Sequence, residues 1–287
     1  MNRVLSREDN TFRDITAYLD FLREKGYAVS VCGFAPELLP YLPVLYQYEA
    51  HMPGVCVYLK SRPATRKRCV AQKRLLLANL PGEIRYGCCY AGVEEFLVPI
   101  FAEDGRIIIC VNIAGYRGNL RRSDRQYRRL ERKLETAYRQ SYQALSETPP
   151  SLKEVRAMTA PLAYMFRVLY AECCSARGPE STSEQLYRQM LEYFYAYYPQ
   201  EDAFSAVCRK LHYSEVYLRR LFREKSGTTP GAFLSQLRMR RAAELLRSTD
   251  QPVAVVAASC GFEDPNYFSA SFRRCYGQSP RAYRKEK

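Results

Sequence analysis

Long apolar runs are missing from this sequence: nothing in its 287 residues approaches the roughly eighteen that a helix needs to span a bilayer. The start, MNRVLSREDN, lacks the apolar stretch of a secretory signal, so a cytoplasmic address and no membrane partner are expected. Histidine is scarce, with 2 in the whole chain, and no Ser/His/Asp or paired-carboxylate constellation stands at motif spacing. Acid–base or nucleophilic catalysis therefore has little to draw on, and no enzyme is expected. The 11 cysteines include no C-x-x-C pair. An odd total scattered over the chain suits no complete disulfide framework, which leaves packing, metal ligation or thiol chemistry in a reducing compartment.

What is present suffices for two cores. With 47% hydrophobic and 26% charged residues the chain reads as globular. Its formal charge is +14, and such a surface attracts polyanions, nucleic acid first and anionic membrane second. The excess is localised: residues 117–140 hold nine Lys/Arg against three Asp/Glu, and residues 201–287 hold sixteen against nine.

Residues 1–119 read as mixed α/β. Apolar runs at 55–59, 84–90, 96–101 and 107–113 predict strands, with Glu103-Asp104-Gly105 as a hairpin turn between the last two. A basic helix is predicted over 64–80, closed by Pro81-Gly82. From residue 120 helical periodicity takes over. The pattern predicts one arginine-rich helix over 121–145 capped at Ser123-Asp124, a break at Pro149-Pro150, and a second helix over 152–175. Gly178-Pro179 then leads into Ser181-x-x-Glu184, a capping-box signature. The expected plan is an α/β sensory domain over 1–119, a helical connector over 120–182 and an all-α domain over 183–287.

Shifting the sequence against itself by fifty residues aligns SEVYLRRLFREKSGTTPGAF (214–233) with DPNYFSASFRRCYGQSPRAY (264–283) without gaps. Ser214 and Asp264 are good N-caps. Tyr217/Tyr267, Leu218/Phe268 and Phe222/Phe272 fall at helical spacing, Gly227/Gly277 sit where a left-handed C-terminal residue belongs, and Pro230/Pro280 stop any continuation. Short helices over 204–211 and 253–259 precede the two copies, so each forms a helix-turn-helix unit whose second helix fits the major groove. Leu234, Leu237, Ala242, Leu245 and Leu246 suit a bridging core helix over 233–248.

On these residues, segment 183–287 resembles the DNA-binding domain of the AraC/XylS family, seven helices carrying two helix-turn-helix units. The second-unit signature A-x-x-C-G-F-x-D-x-x-Y-F-S-x-x-F-R-R-x-x-G-x-S-P-x-x-Y-R runs from Ala257 to Arg284. The resemblance implies a bacterial transcriptional regulator with a double-stranded DNA operator as partner, and RNA polymerase as a further partner if it is an activator. A buried stripe of Leu218, Phe222, Phe268 and Phe272 turns Val216, Arg219, Arg220 and Arg223 outward on the first helix. On the second it turns Pro265, Asn266, Ser269, Ala270 and Arg273 outward. Arginine bonds guanine O6 and N7 in bidentate fashion, so the first helix is expected to read bases. The position of Ala270 often holds arginine in the resembled family. Its absence here points to a second unit that anchors, with Ser269, Arg273 and Arg274 on phosphates and Asn266 on base or backbone. Tyr217 and Tyr267 read as core aromatics, and His212 as a structural turn residue.

The stretch HMPGVCVYLKSRPATRKRCVAQ, followed by RYGCCYAGVEEFLVPIF and GRIIICVNIAGYRG, resembles the PocR-type ligand-binding domain, a PAS-like sensory fold, over residues 12–118. The resemblance implies sensing of a small-molecule effector such as a diol. A PAS-like cavity between sheet and helices would bring Cys56, Tyr58, Cys89, Phe96 and Val98 near the ligand. No cofactor is expected. The alternative is a thiol- or metal-dependent sensor, or an alkylation-repair-type regulator, using Cys56, Cys69 and Cys89 with His51 nearby; Cys88 and Cys89, adjacent on a strand, point to opposite faces. The connector's amphipathic pattern makes a homodimer the expected state, and doubling the contacts would strengthen operator binding. Membrane-surface binding through residues 117–140 is disfavoured, because that face lacks the Trp/Phe/Leu stripe of interfacial helices.

Overall fold

The computed structural model describes residues 10–45, 48–49, 53–80, 82–132, 134, 136–175 and 181–285. His51, Pro81, Gly178 and Pro179 lie outside them. The chain forms two compact units, one of Met1–Cys56 with Ala64–Arg177 and one of Gly178–Lys287 with the short segment Val57–Pro63.

The first unit is built on four antiparallel strands, β1 (Ala28–Cys32), β2 (Arg85–Cys88), β3 (Glu94–Phe101) and β4 (Ile107–Tyr116), in the order β1-β4-β3-β2. Its helices are α1 (Asn10–Glu24), α2 (Leu42–Leu45), α3 (Gly54–Lys60), which runs across the boundary into the other unit, α4 (Pro63–Ala78), α5 (Arg121–Glu131), α6 (Thr136–Gln143) and α7 (Leu152–Ser175). Alternation along the strands sorts side chains by face. One face is largely apolar: Val29, Val31, Phe96, Val98, Ile100, Ile109, Val111 and Ile113 join Ile15 and Leu19 of α1 and Leu162, Phe166 and Leu169 of α7 in one core. The opposite face is mixed. Cys32, Leu97 and Cys110 pack under Leu76, Leu77 and Leu80, while Ser30, Asn112 and Glu95 are buried polar residues beside them.

Three of the four expected strands are present, and the mixed α/β class holds. Residues 55–59 are helical instead, within α3. All five are buried, so the run carries neither helical nor strand period. The strand at Ala28–Cys32 was not foreseen, being short, buried along its length and interrupted by Ser30. The expected helix over 121–145 is two helices. Its cap is Leu120, not Ser123, whose buried hydroxyl bonds the Gly92 carbonyl while Tyr138 Oη donates to Ala91 O at 3.1 Å. Helices α5 and α6 are thus fastened to the turn before β3, and α7 covers the apolar face of the sheet. The segment expected to be a helical connector, residues 120–182, groups up to residue 177 with the first unit.

Among the described residues from 182 onward the second unit forms seven helices: α8 (Thr182–Tyr197), α9 (Ala203–Leu211), α10 (Glu215–Ser226), α11 (Pro230–Ser248), α12 (Val253–Ser259), α13 (Pro265–Tyr276) and α14 (Pro280–Lys285). Ser181 and Glu184 form the capping box that opens α8. Leu234, Leu237, Ala242, Leu245 and Leu246 of α11 are all buried. Pro230 does not merely end what precedes it. It opens α11 from the first turn, and Pro280 begins α14, positions where the missing N–H is no loss.

Candidate nucleic-acid interface

The two copies of the repeat fold alike. Ser214 Oγ accepts the N–H of Tyr217 at 3.3 Å and Asp264 Oδ1 accepts that of Asn266 at 2.8 Å, so α10 and α13 start on capped backbone. Both end on a left-handed glycine, Gly227 at φ 72° and Gly277 at φ 77°, whose N–H groups bond Arg223 O and Arg273 O. Each helix is pinned through one phenylalanine. Phe222 meets Phe233 edge-on with ring centroids 5.3 Å apart, and fifty residues later Phe272 meets Tyr283 edge-on at the same 5.3 Å. Phe194 adds a third ring beside Phe222, and Phe268 one beside Phe272.

Burial of Leu218, Leu221 and Phe222 at i, i+3, i+4 leaves Val216, Arg219, Arg220 and Arg223 exposed, Val216 by 80%. The arginines differ. Arg219 bonds Glu215 Oε2 at 3.4 Å and lies 4.9 Å over the ring of Phe204, while Glu215 also accepts from Ser205 Oγ of α9. That network holds the guanidinium against α9. Among the described residues no ion pair engages Arg220 or Arg223. Several other basic residues of this unit serve the fold. Arg238 bonds Tyr198 O and Gln200 O, Arg241 pairs with Glu244 at 2.6 Å, Arg247 stacks on Tyr283, and Arg209 pairs with Asp202. Among the described residues, Arg220 and Arg223 on α10 and Arg273 on α13 are thus exposed cations that no ion pair engages.

On α13 Asn266, Ala270, Arg273 and Arg274 are exposed and Ser269 is half-buried. The Ser269 hydroxyl donates to Pro265 O at 2.8 Å, so in this arrangement it offers lone pairs rather than a proton. Arg274 reaches Ser271 Oγ at 3.5 Å, and no ion pair among the described residues engages Arg273. Tyr267 was expected to point inward and does not: it is 61% exposed, because the inward stripe is Phe268, Ser271 and Phe272 and leaves Tyr267 on its flank. Its repeat mate Tyr217 is half-buried and stacks on Tyr213, 5.3 Å between centroids. Tyr267 and Tyr213 are thus surface aromatics of the two units that the aligned motif alone did not single out. Position does signal it, since each repeat tyrosine stands one residue, about 100° of helix, before the buried Leu218 or Phe268.

The two turns diverge. His212 closes α9 in the left-handed region at φ 60°, three residues before α10 begins, which is the structural part expected of it. In the second unit the left-handed residue is Gly261 at φ 87°, and a Cβ there would run into the backbone of Pro199.

The expected effector residues of the N-terminal half are not all brought together. Phe96 and Val98 belong to the apolar core under α1 and α7. Cys89 is half-buried in the turn after β2, where burial and then Glu95 hold its thiol well above the usual range. Cys56 is buried in α3, and Tyr58, buried as well, falls in the segment Val57–Pro63 of the other unit, its Oη accepting from Arg62 at 2.8 Å. Cys56 and Cys69 do stand near enough to Cys89 to raise its pKa further. Among the described residues, however, no three His, Cys, Asp or Glu side chains are grouped to hold a metal ion. Also among them, no helix is long and apolar enough to cross a membrane.

Comparison with known proteins bears on the second unit. Residues 207–286 match the family model described as a helix-turn-helix domain. The chain is 48% identical over 81 residues to the HTH-type transcriptional activator RhaR of Pectobacterium atrosepticum, 28% of each chain. It is 33% identical over 105 residues to the uncharacterized HTH-type transcriptional regulator YisR of Bacillus subtilis, 37% of each. The match thus spans only about a third of the length of these relatives. Among solved structures, the C-terminal domain of AraT, a response regulator from Geobacillus stearothermophilus, aligns at 32% identity over 37% of this chain and 89% of that one, with a TM-score of 0.35. The DNA-binding domain of AdpA in complex with a target DNA aligns at 31% identity over 35% of this chain and 90% of that one, with a TM-score of 0.33. Over residues 207–286 the chain is thus similar to the helix-turn-helix domains of transcriptional regulators.

Proposed function

We propose that the chain is a ligand-responsive transcriptional regulator in which α10 and α13 enter successive major grooves of a double-stranded DNA operator. The observation that carries this reading is the outer face of α10: Val216, Arg219, Arg220 and Arg223 are exposed there, on a helix capped at both ends and buried on its other side. Arg220 and Arg223 read base edges from this face, and Arg219, held on Glu215 and Phe204, is placed for one contact direction. On α13, Asn266, Arg273 and Arg274 anchor the second copy, mainly on phosphate, and Ser269 joins them when its hydroxyl turns from Pro265 O to a phosphate oxygen. Similarity to a protein named a transcriptional activator supports activation, hence a contact with RNA polymerase. The N-terminal unit is the PocR-like, PAS-like sensory part, and a homodimer would double the operator contacts. Support for sensing comes from its antiparallel sheet, helix-covered on one face and carrying buried polar residues on the other.

The test is operator selection from a randomised duplex pool, followed by binding of single-base variants. Arg220→Ala should flatten preference at one or two positions by about 1–3 kcal/mol. Arg273→Ala should weaken all sequences alike and reduce the salt slope by about 1. Unchanged preference profiles in Arg219→Ala, Arg220→Ala and Arg223→Ala alike would remove α10 as the reading helix.

A further inference from the structure

On the mixed face of the N-terminal sheet a cavity of about 340 Å³ opens between α4, β2, β3 and the entry to α5. Its apolar wall is Leu76, Leu97 and Leu120, and its polar groups include Arg85, Arg121 and Arg122 from two different elements. Among the described residues no ion pair engages any of these three arginines. One acid faces them: Glu95, 4% exposed, whose Oε2 accepts from Asn112 Nδ2 at 2.7 Å. The same face carries two buried polar atoms without a hydrogen-bond partner among the described residues, Ser30 Oγ and Asn112 Oδ1, on residues opposite one another in the β1–β4 register. Three cations against the lining carboxylate of Glu95, with Glu94 behind the wall held by Leu120 N and Tyr86 Oη, leave an excess of positive charge beside an apolar wall, a lining that favours a negative head and an apolar body.

We infer that this cavity is the effector site and that its ligand is a small organic anion, a carboxylate or phosphate ester on a short hydrocarbon body; the inference rests on the proposed ligand-sensing role of the N-terminal unit. The position gives occupancy a route to helix α5. Glu94, fully buried, accepts from Asn119 N at 2.9 Å, from Leu120 N at 2.8 Å and from Tyr86 Oη at 2.6 Å, so a single carboxylate ties the cavity wall at β2 to the start of α5. An anion drawing Arg85 and Arg122 together bears on that joint directly.

Isothermal titration of the full-length protein with hexanoate, hexyl phosphate, 1-hexanol and 1,2-propanediol tests the assignment. At least one anion should bind about tenfold or more tightly than 1-hexanol, and the tighter anion identifies the head group. In the Arg85→Ala/Arg122→Ala double variant that preference should vanish, with thermal unfolding of the ligand-free variant showing that it folds. Cys88, half-buried in the cavity lining, supplies a readout on the unmutated protein: the bound anion should slow its alkylation by iodoacetamide, scored by peptide mapping. The inference is overturned if 1-hexanol binds as tightly as the anions, if the folded double variant keeps the preference, or if Cys88 is not protected. Binding of the neutral compounds with no binding of either anion would leave ligand sensing standing while removing the anion. Binding of none of the four would remove both.

Discussion

The two helix-turn-helix units share a scaffold and differ in their surfaces. Caps, terminal glycines and the edge-on aromatic pair recur at an interval of fifty residues, yet α10 displays three arginines and a valine where α13 displays Asn266, Tyr267, Ala270 and a single outward arginine pair. The buried half of each helix is constrained by packing, so it repeats. The solvent half is constrained only by what it meets, so it is free to diverge, and the proposed division into a discriminating copy and an anchoring copy rests on that divergence.

The comparison breaks most severely through its shared part. Phe222→Ala and Phe272→Ala each empty a fully buried ring site and should each cost about 3–5 kcal/mol in denaturant unfolding. A cost confined to one of them would mean that the equal ring geometry conceals unequal packing. Next in size is the contrast between the turns. Gly261→Ala puts a side chain into left-handed backbone and against Pro199, and should lower stability by more than about 1–2 kcal/mol, whereas His212→Gly removes the same backbone strain and should raise stability by about 1 kcal/mol or less. Thermal unfolding of the two variants side by side checks the signs. The smallest effect sharpens the comparison instead: Glu215→Gln releases Arg219 from an exposed pair, changing stability by only about 0.2–1 kcal/mol, while broadening base preference wherever Arg219 reads. An unchanged profile in that variant would show that Arg219's partner does not aim it.

Most of the second unit was legible in the sequence because its signals are local. Caps at Ser214 and Asp264, a glycine and a proline at fixed offsets, and phenylalanines at helical spacing each fix a conformation within a few residues. Tyr267 was misplaced because being aromatic is a weaker guide to burial than its angle from Phe268. The first unit was less legible because its signals are not local. Residues 55–59 are buried all round, which erases period, and β1 is recognisable only through its pairing with β4. Ser123 looks like a cap in sequence but bonds a carbonyl thirty-one residues away. The effector candidates failed to converge for a related reason: alternation puts Phe96 and Val98 on one face of β3 and Glu95 and Leu97 on the other, and only the packed helices decide which face keeps polar groups.

Helix α11 joins the two helix-turn-helix copies through 19 residues, a length of about 28 Å at about 1.5 Å per residue, against about 34 Å for a turn of B-DNA. On the proposed binding mode, a reading copy and an anchoring copy held by covalent secondary structure make a ruler with two different ends. Two-fold related subunits impose a palindrome on their site, but a direct repeat within one chain does not. Bound as proposed, one subunit would occupy an element with a direction, and that direction would fix which way along the duplex the N-terminal end of the bound domain lies.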